Sequence, residues 1–450
     1  MQITASAATD VGRSRSTNED SYLVDAALGL FMVCDGMGGH AAGEIASQTT
    51  CETVQRELTS ARASLDAVRR GEAAIDLASS LLRDAVMTAS ATVYDLGARD
   101  KNKRGMGTTC CALLVLGSKA VMAHVGDSRL YLLRERQLYQ MSDDHSFLAE
   151  AIKHGVLSEA QAAVSTHRNM VTRAVGPQRS VQVDVLVFDV LPGDTLLLCS
   201  DGLHQYTPNA LELVQLLSAD APETTPGKLI QLANERGGLD NVTAVLVQAS
   251  AELAEAVADS KRASEVQAQF EAMRNIELFR EMTLPELARI LHVAQTVEVP
   301  AGQVVLREGE TTETLYVIVE GGVRVQRDGQ TIADLAAGSH FGEMALLNQR
   351  PRTATVIARL ESRLLVLDRS AFFTLVQQEP TIASKFLWKL AQTLSLRLDD
   401  VYLVPERPTM VELPTSPPAT EVPHAVDEAA SASPKLTARF GSFPSPFTRG

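Results

Sequence analysis

Three aspartates, far apart along the chain, each stand where an apolar run meets a tight turn. They are Asp35 in Phe31-Met32-Val33-Cys34-Asp35-Gly36, Asp201 after Leu196-Leu197-Leu198-Cys199-Ser200, and Asp240 in Gly237-Gly238-Leu239-Asp240-Asn241. A short apolar run bounded by glycine reads as a buried strand, and a carboxylate just past its end lies at the rim of the core, able to face a cleft. Three carboxylates meeting there would repel one another; hard divalent cations remove the repulsion, so the pattern points to a metal cluster. Near the N-terminus Arg15 precedes the acidic pair Glu19-Asp20, and Asp35-Gly36-Met37-Gly38-Gly39-His40 puts a histidine after a glycine-rich turn. A histidine beside such a cluster, titrating near neutrality, suits a general acid, with water on a metal as the alternative proton source. Gly107-Thr108-Thr109, Gly126-Asp127-Ser128-Arg129 and Asp144-His145-Ser146 lie between these blocks. Asp144-His145 reads as a cap for a helix beginning near Ser146, His124 as a core or interface histidine within a strand, and His204 has no assigned role.

The elements that must position these residues are legible from periodicity. Strands are expected at 29–34, 107–116, 119–125, 129–134, 183–189, 195–199 and 242–248, and a helix at about 75–96, where Leu82, Val86, Ala89, Val93 and Leu96 recur at helical spacing. Gly126-Asp127-Ser128 between two of the strands predicts an antiparallel hairpin. Hairpins with helices grouped between them favour an α+β domain over residues 1–250. Residues 251–275, rich in Ala, Glu, Gln and Lys, read as a helical linker, followed by a helix over 276–293. Residues 296–368 switch to short alternating strands with frequent glycine and an Asp328-Gly329 turn, the pattern of a small antiparallel barrel or jelly roll. Helix is expected over 370–402, and the Pro- and Ser-rich stretch 403–450 is expected to be disordered.

The bulk numbers exclude several function classes. A chain of 450 residues with 45% hydrophobic content can build two or three domains. Its formal net charge of −14 argues against a nucleic-acid-binding surface and against an anionic membrane. No apolar run reaches the roughly 20 residues needed to span a bilayer, and no secretion signal is visible, so a cytoplasmic location is expected. The five cysteines show no metal-ligand spacing and read as small buried hydrophobes in a reducing compartment. None has an arginine six residues later, so a phosphate-attacking thiol loop is missing.

Taken in order, the blocks of residues 3–249 resemble the metal-dependent (type 2C) Ser/Thr protein phosphatases in their bacterial form. The resemblance implies an antiparallel β-sandwich flanked by helices, two to three Mn²⁺ or Mg²⁺ ions, and hydrolysis of phosphoserine and phosphothreonine by direct attack of a metal-bridging water. It further implies that Asp35 bridges the metals and Gly36 lends its carbonyl, that Asp201 and Asp240 hold one metal, and that Asp127 and Asp201 help hold a third. Glu19 and Asp20 would act through metal-bound waters, Arg15 would grip the phosphoryl oxygens with Arg13 as the alternative, and His40 would be the acid. The implied partners are phosphorylated proteins, Ser/Thr kinases or their targets.

Phe341-Gly342-Glu343-Met344-Ala345-Leu346-Leu347, followed by Pro351-Arg352-Thr353-Ala354, resembles the phosphate-binding cassette of cyclic-nucleotide-binding domains over about residues 276–402. A helix starting after Gly342 would aim backbone N–H groups of Glu343, Met344 and Ala345 at a cyclic phosphate. Arg352 would supply the opposing charge, Glu343 would take the ribose 2′-OH, and Thr353 leaves cAMP and cGMP both open. No DNA-reading helix follows. The expectation is a nucleotide-regulated phosphatase; the rival readings are a phosphatase whose second domain is a ligand-free docking or oligomerisation module, and a catalytically dead phosphoprotein binder. The oligomeric state is not legible.

Overall fold

The computed structural model describes the chain except residues 39–41, 154, 159–160, 163–164, 166–169, 208, 219–221, 253–255, 345–349 and 403–450. The 403–450 expectation therefore lies outside the described residues. Residues 1–396 form one compact unit, and Arg397–Gly450 a second, of which only 397–402, the end of the helix Pro380–Tyr402, are described.

The N-terminal half is two stacked antiparallel sheets. One has the order Gln2–Asp10, Val242–Ser250, Thr195–Cys199, Arg129–Arg134, Gln137–Gln140; the other Asp184–Asp189, Lys119–Val125, Cys110–Leu116, Leu30–Cys34, Ser21–Asp25. Between them, Phe31, Val33, Leu113 and Met122 of one sheet pack against Leu130, Leu198, Val245 and Val247 of the other. The alternate residues point outward and are covered in turn. Leu82 and Val86 of the helix Ile75–Arg99 and Val54 of the helix Ala42–Ser60 seal one outer face. Leu213 and Leu229 of two shorter helices seal the other. Strands buried on both faces explain the unbroken apolar runs in the sequence.

All seven expected strands form. Gln2–Asp10, written in Ala, Ser and Thr, was not expected; it is held in nine-residue register along Val242–Ser250. The expected hairpin at 126–128 does not form. Lys119–Val125 already has Cys110–Leu116 on one edge and Asp184–Asp189 on the other, so Arg129–Arg134 has no edge to join and crosses to the opposite sheet. The true hairpin of Arg129–Arg134 is with Gln137–Gln140, through Glu135 and Arg136, both at positive φ.

The second half is a jelly roll of two four-stranded sheets, Gln295–Val299, Ser362–Asp368, Thr314–Glu320, His340–Phe341 and Val304–Leu306, Thr355–Ala358, Gly322–Arg327, Gln330–Ala336. Asp328 and Gly329 sit at φ 51° and 77°, the tight turn the sequence called for. The expected helix 276–293 breaks in two. Thr283 caps the second piece, Leu284–Val293, through a reciprocal bond with Glu286, and Pro285 occupies its first turn.

The expected linker helix forms over Ala256–Asn275 but is not a free spacer. Arg262 bonds the carbonyls of Ser118 and Val190 at 2.8 and 3.2 Å and the Asp189 carboxylate. Val266, Phe270 and Met273 belong to one apolar core that runs from the sandwich to Leu315 and Leu365 of the jelly roll. The helix Leu284–Val293 packs on the strand Asp184–Asp189, and His292 meets Asp76 at 2.8 Å.

Candidate active site

A cavity of about 390 Å³ opens at one end of the sandwich, lined by Arg15, Glu19, Asp35, Gly36, Thr109, Asp127, Asp201, Asp240 and Asn241 among others. Each carboxylate arrives from a different strand end. Asp35 follows Leu30–Cys34, Asp127 lies in the crossing after Lys119–Val125, Asp201 opens the short helix Asp201–His204 after Thr195–Cys199, and Asp240 precedes Val242–Ser250. The structure thus gathers Asp35, Asp127, Asp201, Asp240, Glu19, Gly36 and Arg15 around one space. Asp20 stands behind it, 7% exposed, with Oδ2 accepting from Ser200 Oγ at 2.8 Å and Thr243 Oγ1 at 2.7 Å. His40 lies outside the described residues.

Backbone hydrogen bonds hold the ligand-bearing turns. The Asp35 amide donates to Thr109 Oγ1, and its carbonyl accepts from Thr108 Oγ1 and the Thr109 amide at 2.8–2.9 Å. This gives Gly107-Thr108-Thr109 a purpose. Gly36 is obligatory, since a Cβ would come within 2.3 Å of the Gly43 carbonyl and 2.4 Å of that of Glu19. Asn241, not expected to act, pins the loop carrying Arg15 and Glu19: Nδ2 donates to the Val11 and Thr17 carbonyls, and Oδ1 accepts from the Glu19 amide. Its only sequence signal is its place beside Asp240. His204 donates from Nε2 to the Asp127 carbonyl at 3.0 Å, and Gln205 to Asp201 Oδ2 at 2.7 Å.

Asp144 is not a helix cap. It takes Arg129 through Nε and Nη2, while Ser146 Oγ accepts from the Ala149 amide at the start of Phe147–Lys153. His124 is fully buried in its strand, as expected of a core histidine.

The electrostatics are those of crowded acid. Burial, then the neighbouring carboxylates, pushes Asp35 well above the usual range. Burial raises Asp20 to about 7 against the pull of the Thr243 and Ser200 hydroxyls. Burial and Asp201 raise Asp127 to about 7, and burial and Asp240 raise Asp201 to about 6. Among the described residues five carboxylates face the cavity against one guanidinium, Arg15, whose Nη2 lies 2.8 Å from Asp240 Oδ2. Asp20 Oδ1 and Asp201 Oδ1 are buried with no hydrogen-bond partner. Buried acceptors without partners, in a cavity of excess negative charge, fit hard cations. Among the described residues no three His, Cys, Asp or Glu side chains close around a single point. The carboxylates instead line a shared space, as suits ions that keep much of their water.

In the jelly roll, Gly342 (φ 84°) and Arg352 come together: a Cβ on Gly342 would stand 2.7 Å from Arg352 Nη1. Arg352 is buried, donating from Nε to Thr312 Oγ1, from Nη1 to the Gly342 carbonyl, and from Nη2 to the carbonyl and hydroxyl of Thr314. Burial lowers its pKa, and Glu343 is near enough to raise it. Met344 and Thr353 are exposed, and Ala345 lies outside the described residues.

Comparison with known proteins agrees with this geometry. A family model described as Protein phosphatase 2C matches residues 12–234, and one described as Cyclic nucleotide-binding domain matches 296–379. The serine/threonine phosphatase stp of Listeria monocytogenes is 35% identical over 244 residues, covering 53% of this chain and 93% of its own length. The protein phosphatase PhpP of Streptococcus pneumoniae is 32% identical over 258 residues, covering 55% and 98%. The crystal structure of a bacterial serine phosphatase bearing an arginine-to-lysine mutation matches 56% of this chain and 99% of its own, at 30% identity and a TM-score of 0.50. Among the described residues no helix is long and apolar enough to cross a membrane. The chain therefore belongs to the protein phosphatase 2C family of serine/threonine phosphatases, and its C-terminal region carries a cyclic nucleotide-binding domain.

Proposed function

We propose that residues 1–250 hydrolyse phosphoserine and phosphothreonine in proteins with the help of two to three Mn²⁺ or Mg²⁺ ions, and that residues 276–402 bind a cyclic nucleotide and regulate that activity. The carrying observation is the cavity lined, among the described residues, by five carboxylates, with the orphaned Oδ1 of Asp201 buried at its wall and that of Asp20 buried behind it. Asp35, Asp201 and Asp240, with the Gly36 carbonyl, would hold the ions, Asp127 would share one with Asp201, and Glu19 and Asp20 would act through intervening water. Such ions, when bound, acidify water as a nucleophile and offset the charge of the phosphate dianion. Arg15, half exposed at the mouth, orients the phosphoryl oxygens by its planar fork, and its bond to Asp240 holds it there. His40 keeps its place as the acid for the leaving alkoxide on the sequence alone. Phosphopeptide hydrolysis that persists unchanged in excess chelator would sink this reading.

For regulation, the support is the shared core and the seating of Leu284–Val293 on the strand Asp184–Asp189. A ligand favouring one arrangement of this seat would change activity about 5–150-fold, the range of 1–3 kcal/mol couplings. The substrates would be phosphorylated kinases or their targets. One observation favours a second reading, a docking domain that takes no nucleotide: the donors of Arg352 are turned onto Thr312, Thr314 and Gly342 of its own domain. Calorimetric titration with cAMP and with cGMP separates the two, heat of binding supporting the sensor and silence with both supporting the docking module.

A further inference from the structure

Unlike Asp201 and Asp240, which lie between two strands of one sheet, Asp127 sits on a crossing between sheets, from Lys119–Val125 to Arg129–Arg134. The crossing is narrow: Gly126 has φ 108°, and a Cβ there would lie 2.6 Å from Thr109 Cγ2. His204 holds its far side through the Asp127 carbonyl at 3.0 Å, and a second histidine, the buried His145, holds its near side. The His145 amide donates to the Gly126 carbonyl at 2.7 Å, and the Gly126 amide donates back to His145 Nδ1 at 3.1 Å. Because Nδ1 accepts, a neutral ring carries its proton on Nε2, which stands 3.0 Å from Asp184 Oδ2. Asp184 Oδ1 takes Arg173 Nη1 at 2.8 Å. The ring is 3% exposed and lies against His124, centroids 4.9 Å apart. Neither His145 nor Asp184 lines the cavity.

We propose that His145, oriented by Asp184, is a positioning residue for Asp127: it sets the carboxylate where it can share a cation with Asp201. Aligned partners behind a ligand tune metal affinity by fixing the ligand's orientation, and here the partner acts through the backbone of the residue before. The inference rests on the reading that Asp127 holds a cation, and the test keeps the two apart.

Mn²⁺ binding to the full chain is measured by calorimetry and by the electron paramagnetic resonance of free Mn²⁺, alongside phosphopeptide hydrolysis against Mn²⁺ concentration. Asp127→Asn serves as the reference and should lose the weakest class of Mn²⁺ sites. His145→Ala should weaken that same class by about 10–100-fold, the usual effect of losing an outer partner, and leave the tighter class in place. His145→Asn, whose Oδ1 can stand in for Nδ1 and accept from the Gly126 amide, should restore most of it. A role confined to stability would lower the active fraction without moving the Mn²⁺ midpoint. Should His145→Ala not fold, Asp184→Ala, on a side chain one-quarter exposed, carries the test with a smaller shift of the same class. An unchanged isotherm in these variants, with the weak class lost in Asp127→Asn, overturns the proposal. An unchanged isotherm in Asp127→Asn itself overturns the reading beneath it.

Discussion

The cavity of the sandwich and the cassette of the jelly roll, the two regions proposed to meet phosphate, handle buried polarity in opposite ways. The cavity of the sandwich collects acceptors in excess: among the described residues five carboxylates face one guanidinium, and buried oxygens of Asp201 at its wall and Asp20 behind it have no donor. The cassette of the jelly roll collects a donor already satisfied, Arg352, bound to three residues of its own domain. The first site carries a mutual repulsion of carboxylates that a cation or a proton relieves. The second is stable as it stands, so an anion must compete with internal oxygens for the guanidinium. The lesson is that a phosphate site can be poised for its ligand by frustration or held from it by satisfaction, and the polarity of burial decides which.

The sharpest way to break the comparison is at Asp201. Asp201→Ala should lower hydrolysis of p-nitrophenyl phosphate at saturating Mn²⁺ on the order of 10³-fold or more, beyond the 10–100-fold typical of outer partners. Near-normal turnover would mean that the cavity carboxylates are not the working ligands.

A second test uses pH. Asp20 and Asp127 titrate at about 7 and Asp201 at about 6, all above the usual carboxylate range. The folded protein therefore binds protons that the unfolded chain has released, so in chelator its stability rises as pH falls from about 7 towards about 4. Mn²⁺ needs the deprotonated carboxylates, so the rise in Tm it produces should be larger at pH 7.5 than at pH 5.5. Differential scanning calorimetry at the two pH values checks this, and an increment that grows on acidification would contradict it.

The third compares the two sites directly. In chelator at pH 8, Asp127→Asn removes a repelled charge and should raise Tm. Arg352→Ala strands the acceptors of Thr312, Thr314 and Gly342 and should cost about 1–3 kcal/mol of stability, read by urea unfolding. Shifts of the same sign would erase the distinction between frustrated and satisfied sites.

The smallest effect is expected at the seat between the two halves. His292→Ala breaks its pair with Asp76, whose side chain is 71% exposed. The loss should be under about 1 kcal/mol, because the apolar core beneath, through Phe270 and Ile290, carries the seat. A much larger loss in chemical denaturation would shift the weight of that interface from packing to charge.

Much of the fold was legible because its physics is local. A short apolar run bounded by turn residues, such as Leu30–Cys34 or Leu196–Cys199, reads as a strand buried on both faces, and the aspartate near its end as a residue of the rim. Gln2–Asp10 escaped notice because, apart from Ile3, Thr4 and Thr9, it is alanine, serine and polar residues with little strand signal; its strand exists through its partner Val242–Ser250. The crossing at Gly126-Asp127-Ser128 read as a hairpin because its local chemistry is that of a turn, and only the occupancy of both edges of Lys119–Val125 forbids the pairing.

Taken alone, the amino-acid sequence determined which residues would meet at the cavity: carboxylates and glycines have backbone and charge requirements that show in their immediate neighbours. The tertiary structure decided how they are held. Asn241 reaches across 230 positions to Val11, His145 grips Gly126 from the far side of a hairpin, and Arg352 turns onto Thr312 and Thr314. Such bonds join groups whose only relation is spatial, so they leave no period or spacing in the chain, and their direction is set by which side chains the closing core leaves buried without water.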